Sequence, residues 1–240
     1  MKKVAFFDID GTLFRWQLYH DLVFELKDMG KFSEDDASNI DRALVDWQAK
    51  NKTWLDYELT LVAVFEKNIT NVSPNELRLA SEAVVKRSGH KIYNYTLSLL
   101  RQLQQQGYFT VAISGSGQEL VDVFTEIYGF NKGIGRVFET IDGKFSGKTE
   151  SHTLGRKAEI ALGVIKSEDL ALDDSFAIGD SGSDIEMLEL VKNPIAFNPS
   201  TELLEAAQQK GWQIVVERKN IAYTMESQDG SIILAKTDSF

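Results

Sequence analysis

Residues 4–7 form a uniformly apolar run of the kind found in a strand covered on both faces, and the next run of that kind arrives only at 108–113. A sheet begun at residue 4 must therefore wait across a long excursion for its next strand. The excursion is helical. Leu18, Leu22, Leu26 and Met29, then Ile40, Leu44 and Trp47, then Trp54, Leu61, Phe65 and Ile69 recur at helical spacing. Ser73, Pro74 and Glu76 spell a capping box with proline at the first helical position, opening one more helix toward Val84.

After Gly89 the pattern changes to alternation. A helix over 93–106 stops at Gly107, the strand of 108–113 runs into the glycine turn 114–117, and a helix follows over 118–128. Asp142 and Gly143 mark a β-hairpin, and helical and strand-like segments then take turns at 156–165, 175–180, 185–191, 194–197, from Thr201, and 213–216. A final hairpin is expected about Asp229 and Gly230. The expected fold is α/β, a doubly wound Rossmann-like parallel sheet. Its core would comprise residues 1–14 and 90–240, with an inserted helical cap domain over 15–89.

Composition narrows the function classes. In 240 residues, 43% are hydrophobic and 26% charged, which is ordinary for a folded globular chain. The net charge of −10, with no long basic cluster, disfavours nucleic acid as a partner. Zero cysteines exclude disulfides, thiolate metal sites and cysteine nucleophiles. The apolar run after Lys2 and Lys3 is broken at Asp8, too early for a signal peptide, and no run of roughly 20 apolar residues exists. A cytoplasmic protein without a membrane partner is expected.

In open α/β sheets ligands bind beyond the carboxyl ends of the strands. Here those ends carry Asp8 and Asp10, the segment from Ser114 to Gly117, and Asp180 with Asp184. Acidic groups brought together there would repel one another unless a divalent cation joined them, and hard oxygen donors suit Mg²⁺. The SGSG turn offers backbone N–H groups to an anion. Carboxylates, a cation and an anion nest together suggest a phosphate substrate, and a lysine should neutralise its remaining charge. Lys157 is the best-placed candidate and Lys148 the competitor.

The ordered set DIDGT at 8–12, SGS at 114–116, a lysine, and GDSGSD at 179–184 resembles the motif pattern of the haloacid dehalogenase (HAD) superfamily. The chain is most similar to its Mg²⁺-dependent phosphatases of the phosphoserine-phosphatase-like branch, where a helical cap follows the first motif. The resemblance implies a phosphomonoester hydrolase acting on a small phosphorylated metabolite through an aspartyl phosphate. It makes Asp8 the nucleophile and Asp10 the acid and base. It gives Asp8, the Asp10 main-chain carbonyl and Asp180 to Mg²⁺, with Asp184 in support, and Ser114, Gly115 and Lys157 to the phosphoryl oxygens. An acid at Asp10 is chemically required, because a threonine there would leave the aspartyl phosphate without a base to hydrolyse it.

The alternatives are phosphoserine phosphatase proper, or a catalytically silent HAD-fold binding or signalling protein. The resembling enzymes hold phosphoserine with a cap glutamate and a cap arginine. Counting from DIDGT, the glutamate position falls on Gln17, and around the arginine position 57–65 reads YELTLVAVF, without arginine. Arg15 and Gln17 are therefore the cap candidates for specificity. Trp47 and Trp54 are expected in the core. His20, His90 and His152 lack metal-like spacing and receive no role.

Overall fold

The computed structural model describes residues 1–228 and 231–240. Strand β1 (Lys2–Phe7) lies mid-sheet because its alternate side chains serve two cores: Ala5 and Phe7 point into one apolar cluster, Val4 and Phe6 into the other. The chain then makes helices α1 (Leu18–Asp28), α2 (Glu34–Gln48), α3 (Trp54–Asn68) and α4 (Pro74–Ser88). Each of the last three opens on a side-chain cap, from Ser33, Thr53 and Ser73, and the Ser73–Glu76 capping box forms with Pro74 inside it.

Helix α5 (Asn94–Gln105) ends where Gly107 takes φ +81°, and β2 (Phe109–Gly117) and α6 (Gln118–Tyr128) follow. Strands β3 (Lys132–Ile141) and β4 (Lys144–Ser151) form the hairpin, with Asp142 and Gly143 both at positive φ as a two-residue turn requires. The rest is α7 (Lys157–Ser167), β5 (Leu170–Gly179), α8 (Ile185–Glu189), β6 (Asn193–Phe197), α9 (Thr201–Lys210), β7 (Gln213–Arg218), β8 (Ile221–Gln228) and β9 (Ser231–Ser239). The sheet order is β4-β3-β2-β1-β5-β6-β7-β8-β9. It is parallel from β3 to β7 and antiparallel at both flanks. The expected α/β parallel core is thus present. Strands β8 and β9 pair antiparallel, and the turn expected at Asp229 and Gly230 lies outside the described residues.

Several elements differ from the sequence reading. Strand β2 runs on to Gly117, through the 114–117 segment expected as a turn, and pairs with β3 again at Gly117 after a shift of register. Strand β5 begins at Leu170, well before the expected residue 175, because Asp173 and Asp174 break its apolar pattern without ending it. Asp174 adopts φ +59° there and is held by Lys3, by the Tyr108 hydroxyl and by Asn193, so the strand resumes pairing with β1 after a shift of register. Helix α8 stops at Glu189, two residues early, and the strand β6 follows almost at once.

Helices α5 and α6 cover one face of the sheet, and α7, α8 and α9 the other. The inserted helices do not form a separate core. Leu18, Leu22, Leu26, Phe65 and Leu77 belong to the same cluster as Ala5, Phe7, Leu100 and Phe124. Where the chain enters and leaves the insertion it is tied to itself: Phe14 bridges Ile92, Arg15 N donates to Lys91 O at 2.8 Å, and Tyr93 N donates to Leu13 O at 3.0 Å. Among the described residues no helix is long and apolar enough to cross a membrane.

Candidate active site

The loop after β1 is wound so tightly that the amides of Thr12, Leu13 and Phe14 all donate to the Ile9 carbonyl, at 3.2, 2.9 and 2.8 Å. Gly11 makes this possible at φ +83°, and a Cβ there would collide with the Asp180 carboxylate. The glycine is what lets the end of β5 close on the end of β1. Asp8 N donates to Ile178 O at 3.0 Å, and this bond carries the strand pairing one residue past the sheet.

Lys157, first residue of α7, is buried and drives its ammonium between two carboxylates, 2.6 Å from Asp8 Oδ1 and 2.5 Å from Asp184 Oδ1. Asp184 Oδ2 accepts from Ser181 N and Ser181 Oγ, each at 3.0 Å, so Asp184 both caps its turn and anchors the lysine. Asp10 is held on both oxygens: Leu18 N donates to Oδ1 at 2.6 Å, and Ser114 Oγ and Ser116 Oγ donate to Oδ2 at 2.9 and 3.0 Å. Thr153 Oγ1 donates to Ser114 O at 2.8 Å and fixes the last part of β2 against the approach to α7. Thr12 Oγ1 stands 3.4 Å from Asp180 Oδ1.

Charge is unbalanced here. Burial, with Asp184 and Asp10 close by, pushes the Asp8 carboxyl above its ordinary range despite the pull of Lys157. Asp180 is raised in the same way by burial and by Asp8 and Asp184. Burial raises Asp10 too, against the hydrogen bonds from Leu18, Ser114 and Ser116. Lys157 moves the other way: burial lowers its pKa, but Asp8 and Asp184 outweigh that and hold it charged. One ammonium thus serves several carboxylates, and the excess negative charge is what needs a further cation.

The donor set fits one. Asp8, Asp180 and Asp184 each place an oxygen within 4.8 Å of the others. Asp8 Oδ2 is buried and has no hydrogen-bond partner among the described residues, which without a cation would cost about 1–3 kcal/mol. Hard carboxylate oxygens of this kind suit Mg²⁺.

These groups open on a cavity of about 610 Å³. Asp8, Asp10, Gly115, Lys157, Asp180 and Gln17 line it, whereas Ser114 lies beneath the lining and reaches it through Asp10. Arg15 does not line it. Its Nε donates to Ile92 O at 2.8 Å and its guanidinium pairs with buried Glu217, which also caps α5 through Asn94 N and Tyr95 N at 3.1 and 2.8 Å. Arg15 is thereby committed to the base of the insertion. Lys148 is exposed on β4 and is not among the lining residues. Trp54, expected in the core, is a wall of the cavity, while Trp47 stacks on Tyr57 at 5.3 Å as a core residue does. His152 lines the cavity, and His20 is buried among Trp16, Trp54 and Tyr57, where burial lowers its pKa to about 4 and keeps it neutral.

Residues 5–189 match the family described as haloacid dehalogenase-like hydrolase, and residues 152–229 match a second family of the same description. The chain belongs to the haloacid dehalogenase-like hydrolases. It is 34% identical over 126 residues to the inhibition of morphological differentiation protein of Streptomyces azureus, covering 52% of this chain and 46% of that one. It is 25% identical over 228 residues to the phosphoserine phosphatase of Methanocaldococcus jannaschii, covering 92% of this chain and 94% of that one. The chain spans about half the length of the Streptomyces azureus protein and of a Streptomyces coelicolor phosphoserine phosphatase. The crystal structure of a protein of unknown function from Bordetella pertussis shares the fold, with a TM-score of 0.70, 23% identity, and 89% of this chain and 98% of that one covered.

Proposed function

We propose that this chain is a Mg²⁺-dependent phosphomonoester hydrolase that works through an aspartyl phosphate, with residues 1–14 and 90–240 as catalytic core and 15–89 as cap. The observation that carries the reading is the state of Asp8. One of its oxygens is held by Lys157, the other is buried without a hydrogen-bond partner among the described residues, and the residue lines a cavity beside Asp10. The near full-length relative from Methanocaldococcus jannaschii, a phosphoserine phosphatase, supports the class of reaction.

In this reading an Asp8 oxygen attacks phosphorus and the ester bond to the alcohol breaks, with the Asp10 carboxyl giving its proton to the departing oxygen. Burial suits Asp10 to that task, because it keeps the carboxyl protonated further toward neutral pH. Asp10, now a carboxylate, takes a proton from water, the water oxygen attacks phosphorus, and inorganic phosphate leaves Asp8 free. Lys157, Ser114 and the Gly115 amide hold the phosphoryl oxygens; the Ser114 hydroxyl would turn from Asp10 to do so. Mg²⁺, when bound by Asp8, the Asp10 carbonyl and Asp180 with Asp184 in support, screens the anionic nucleophile from the anionic substrate. Exhaustive chelation is expected to stop phosphate release from an aryl phosphate, and Ca²⁺ in place of Mg²⁺ to lower it, because Ca²⁺ prefers more ligands in a looser arrangement. Full activity after chelation would contradict the reading.

The substrate is a small phosphorylated metabolite other than phosphoserine. Gln17 lies where the resembling enzymes place a glutamate, Arg15 is spent on Glu217, and 57–65 supplies no arginine. A buried substrate carboxylate without a cation would be penalised by several kcal/mol. Phosphoserine is accordingly expected to trail other members of a panel of sugar, polyol and nucleotide phosphates in kcat/KM. A lead of tenfold or more for phosphoserine would overturn this specificity.

A further inference from the structure

Beyond the carboxylates the cavity runs between α3 and the β3–β4 hairpin, and its far wall is lopsided in charge. On α3 the residues Trp54, Glu58, Val62 and Phe65 fall on one helical stripe, and all four line the cavity together with Tyr19 and Phe138. The wall holds one arginine and one glutamate, in opposite situations. Arg136 is committed: it pairs with Glu66 at 2.6 Å, reaches Thr149 Oγ1 from Nε at 3.0 Å and from Nη2 at 2.6 Å, and lies 4.8 Å from the centroid of the Phe138 ring. Glu58 is not. Among the described residues it has no ion-pair partner, and it stands half-buried with the Trp54 indole one turn away on the same helix. Burial raises its carboxyl pKa, with Trp54 lowering it and the Asp10 charge raising it.

A carboxylate that has no ion-pair partner among the described residues, hydrogen-bonded only by the neighbouring Trp54 indole and sharing its cavity wall with tyrosine and phenylalanine rings, is a surface that receives an organic cation. The carboxylate supplies the counter-charge and the ring faces supply cation–π attraction. The same wall disfavours a second anionic group on the substrate, since its arginine is neutralised by Glu66 and Glu58 adds negative charge. We propose that Glu58 is a specificity-determining residue, and that the substrate is a phosphomonoester whose alcohol carries a cationic nitrogen and no carboxylate. The proposal rests on the phosphatase reading for the phosphoryl end and adds the chemistry of the other end.

The test separates binding from turnover. With Mg²⁺ present, calorimetric affinities are measured for n-alkyl and ω-aminoalkyl phosphonates of matched length, ethyl to butyl, which bind without being hydrolysed. At the best length the amine is expected to bind roughly tenfold tighter. Glu58→Gln should remove that preference while leaving the alkyl affinity unchanged, which also shows that the variant is folded. The corresponding phosphate esters should show the same ratio in kcat/KM. Equal affinity for amine and alkyl at every length, or a preference that survives in Glu58→Gln, would overturn the proposal. Selective amine binding without any phosphate release would overturn the phosphatase reading and leave the role of Glu58 standing. Release from both ester series at equal kcat/KM would do the reverse.

Discussion

Asp8→Asn is expected to reduce phosphate release to background while leaving the fold unchanged. The amide can neither form the acyl phosphate nor supply the anionic oxygen that a cation at Asp180 and Asp184 would share. Uncatalysed hydrolysis of a phosphate monoester is so slow, with enzymes supplying up to ~10²¹-fold acceleration, that no bypass should register. The fold should survive because the substitution is isosteric and removes one negative charge from a site with too many. Lys157 keeps Asp184 as its partner. Steady-state phosphate release and far-ultraviolet circular dichroism check both halves. For the unaltered protein, a phosphate ester chiral at phosphorus should be hydrolysed with overall retention, because two in-line displacements, first by Asp8 and then by water, each invert the centre. Net inversion, the outcome of a single direct attack by water, would exclude the covalent route.

Lys157→Ala should lower kcat by roughly a hundredfold or more, the effect of deleting one donor that stabilises transition-state charge. It should also cost stability, because Asp8 and Asp184 would remain buried without their ammonium. Breaking a buried pair from one side costs about 3–5 kcal/mol. The two effects are told apart by measuring kcat per folded molecule, with thermal melting alongside. Lys148→Ala, exposed on β4, should change neither quantity appreciably. A larger loss of activity from Lys148→Ala than from Lys157→Ala would move the catalytic cation to the hairpin.

The parallel core and the long helical excursion were legible because both depend on short-range periodicity, which a chain states directly. Ser73, Pro74 and Glu76 announced α4 for the same reason: their hydrogen bonds close within one turn. The first half of β5 was not legible, since what carries the strand past Asp173 and Asp174 is Lys3, Tyr108 and Asn193 from elsewhere in the chain. At the site, the motif order named Asp8, Asp10, Asp180, Asp184 and Lys157 as neighbours, and the structure does bring them together. The sequence marked Arg15 as a specificity candidate but did not show where it is spent, because its partner Glu217 lies 202 residues away. Nor did it mark Ser116, Thr153, Glu58 or Arg136. Hydroxyls in a glycine turn read as turn chemistry and charges on amphipathic elements read as a solvated face, so only the packing of α3 against the hairpin reveals that some of them look inward.

The apolar cluster shared by the inserted helices and the sheet face bears on how such a protein can change over evolutionary time. Grafting the insertion wholesale from a distant homologue would tear a continuous interior, leaving Phe7 and Phe124 facing side chains shaped for other neighbours. The inward stripe of α3 carries no such constraint at Glu58, which meets the cavity rather than the cluster. New substrate preferences are therefore reached more readily by point substitution at positions such as Glu58 than by recombination of whole segments.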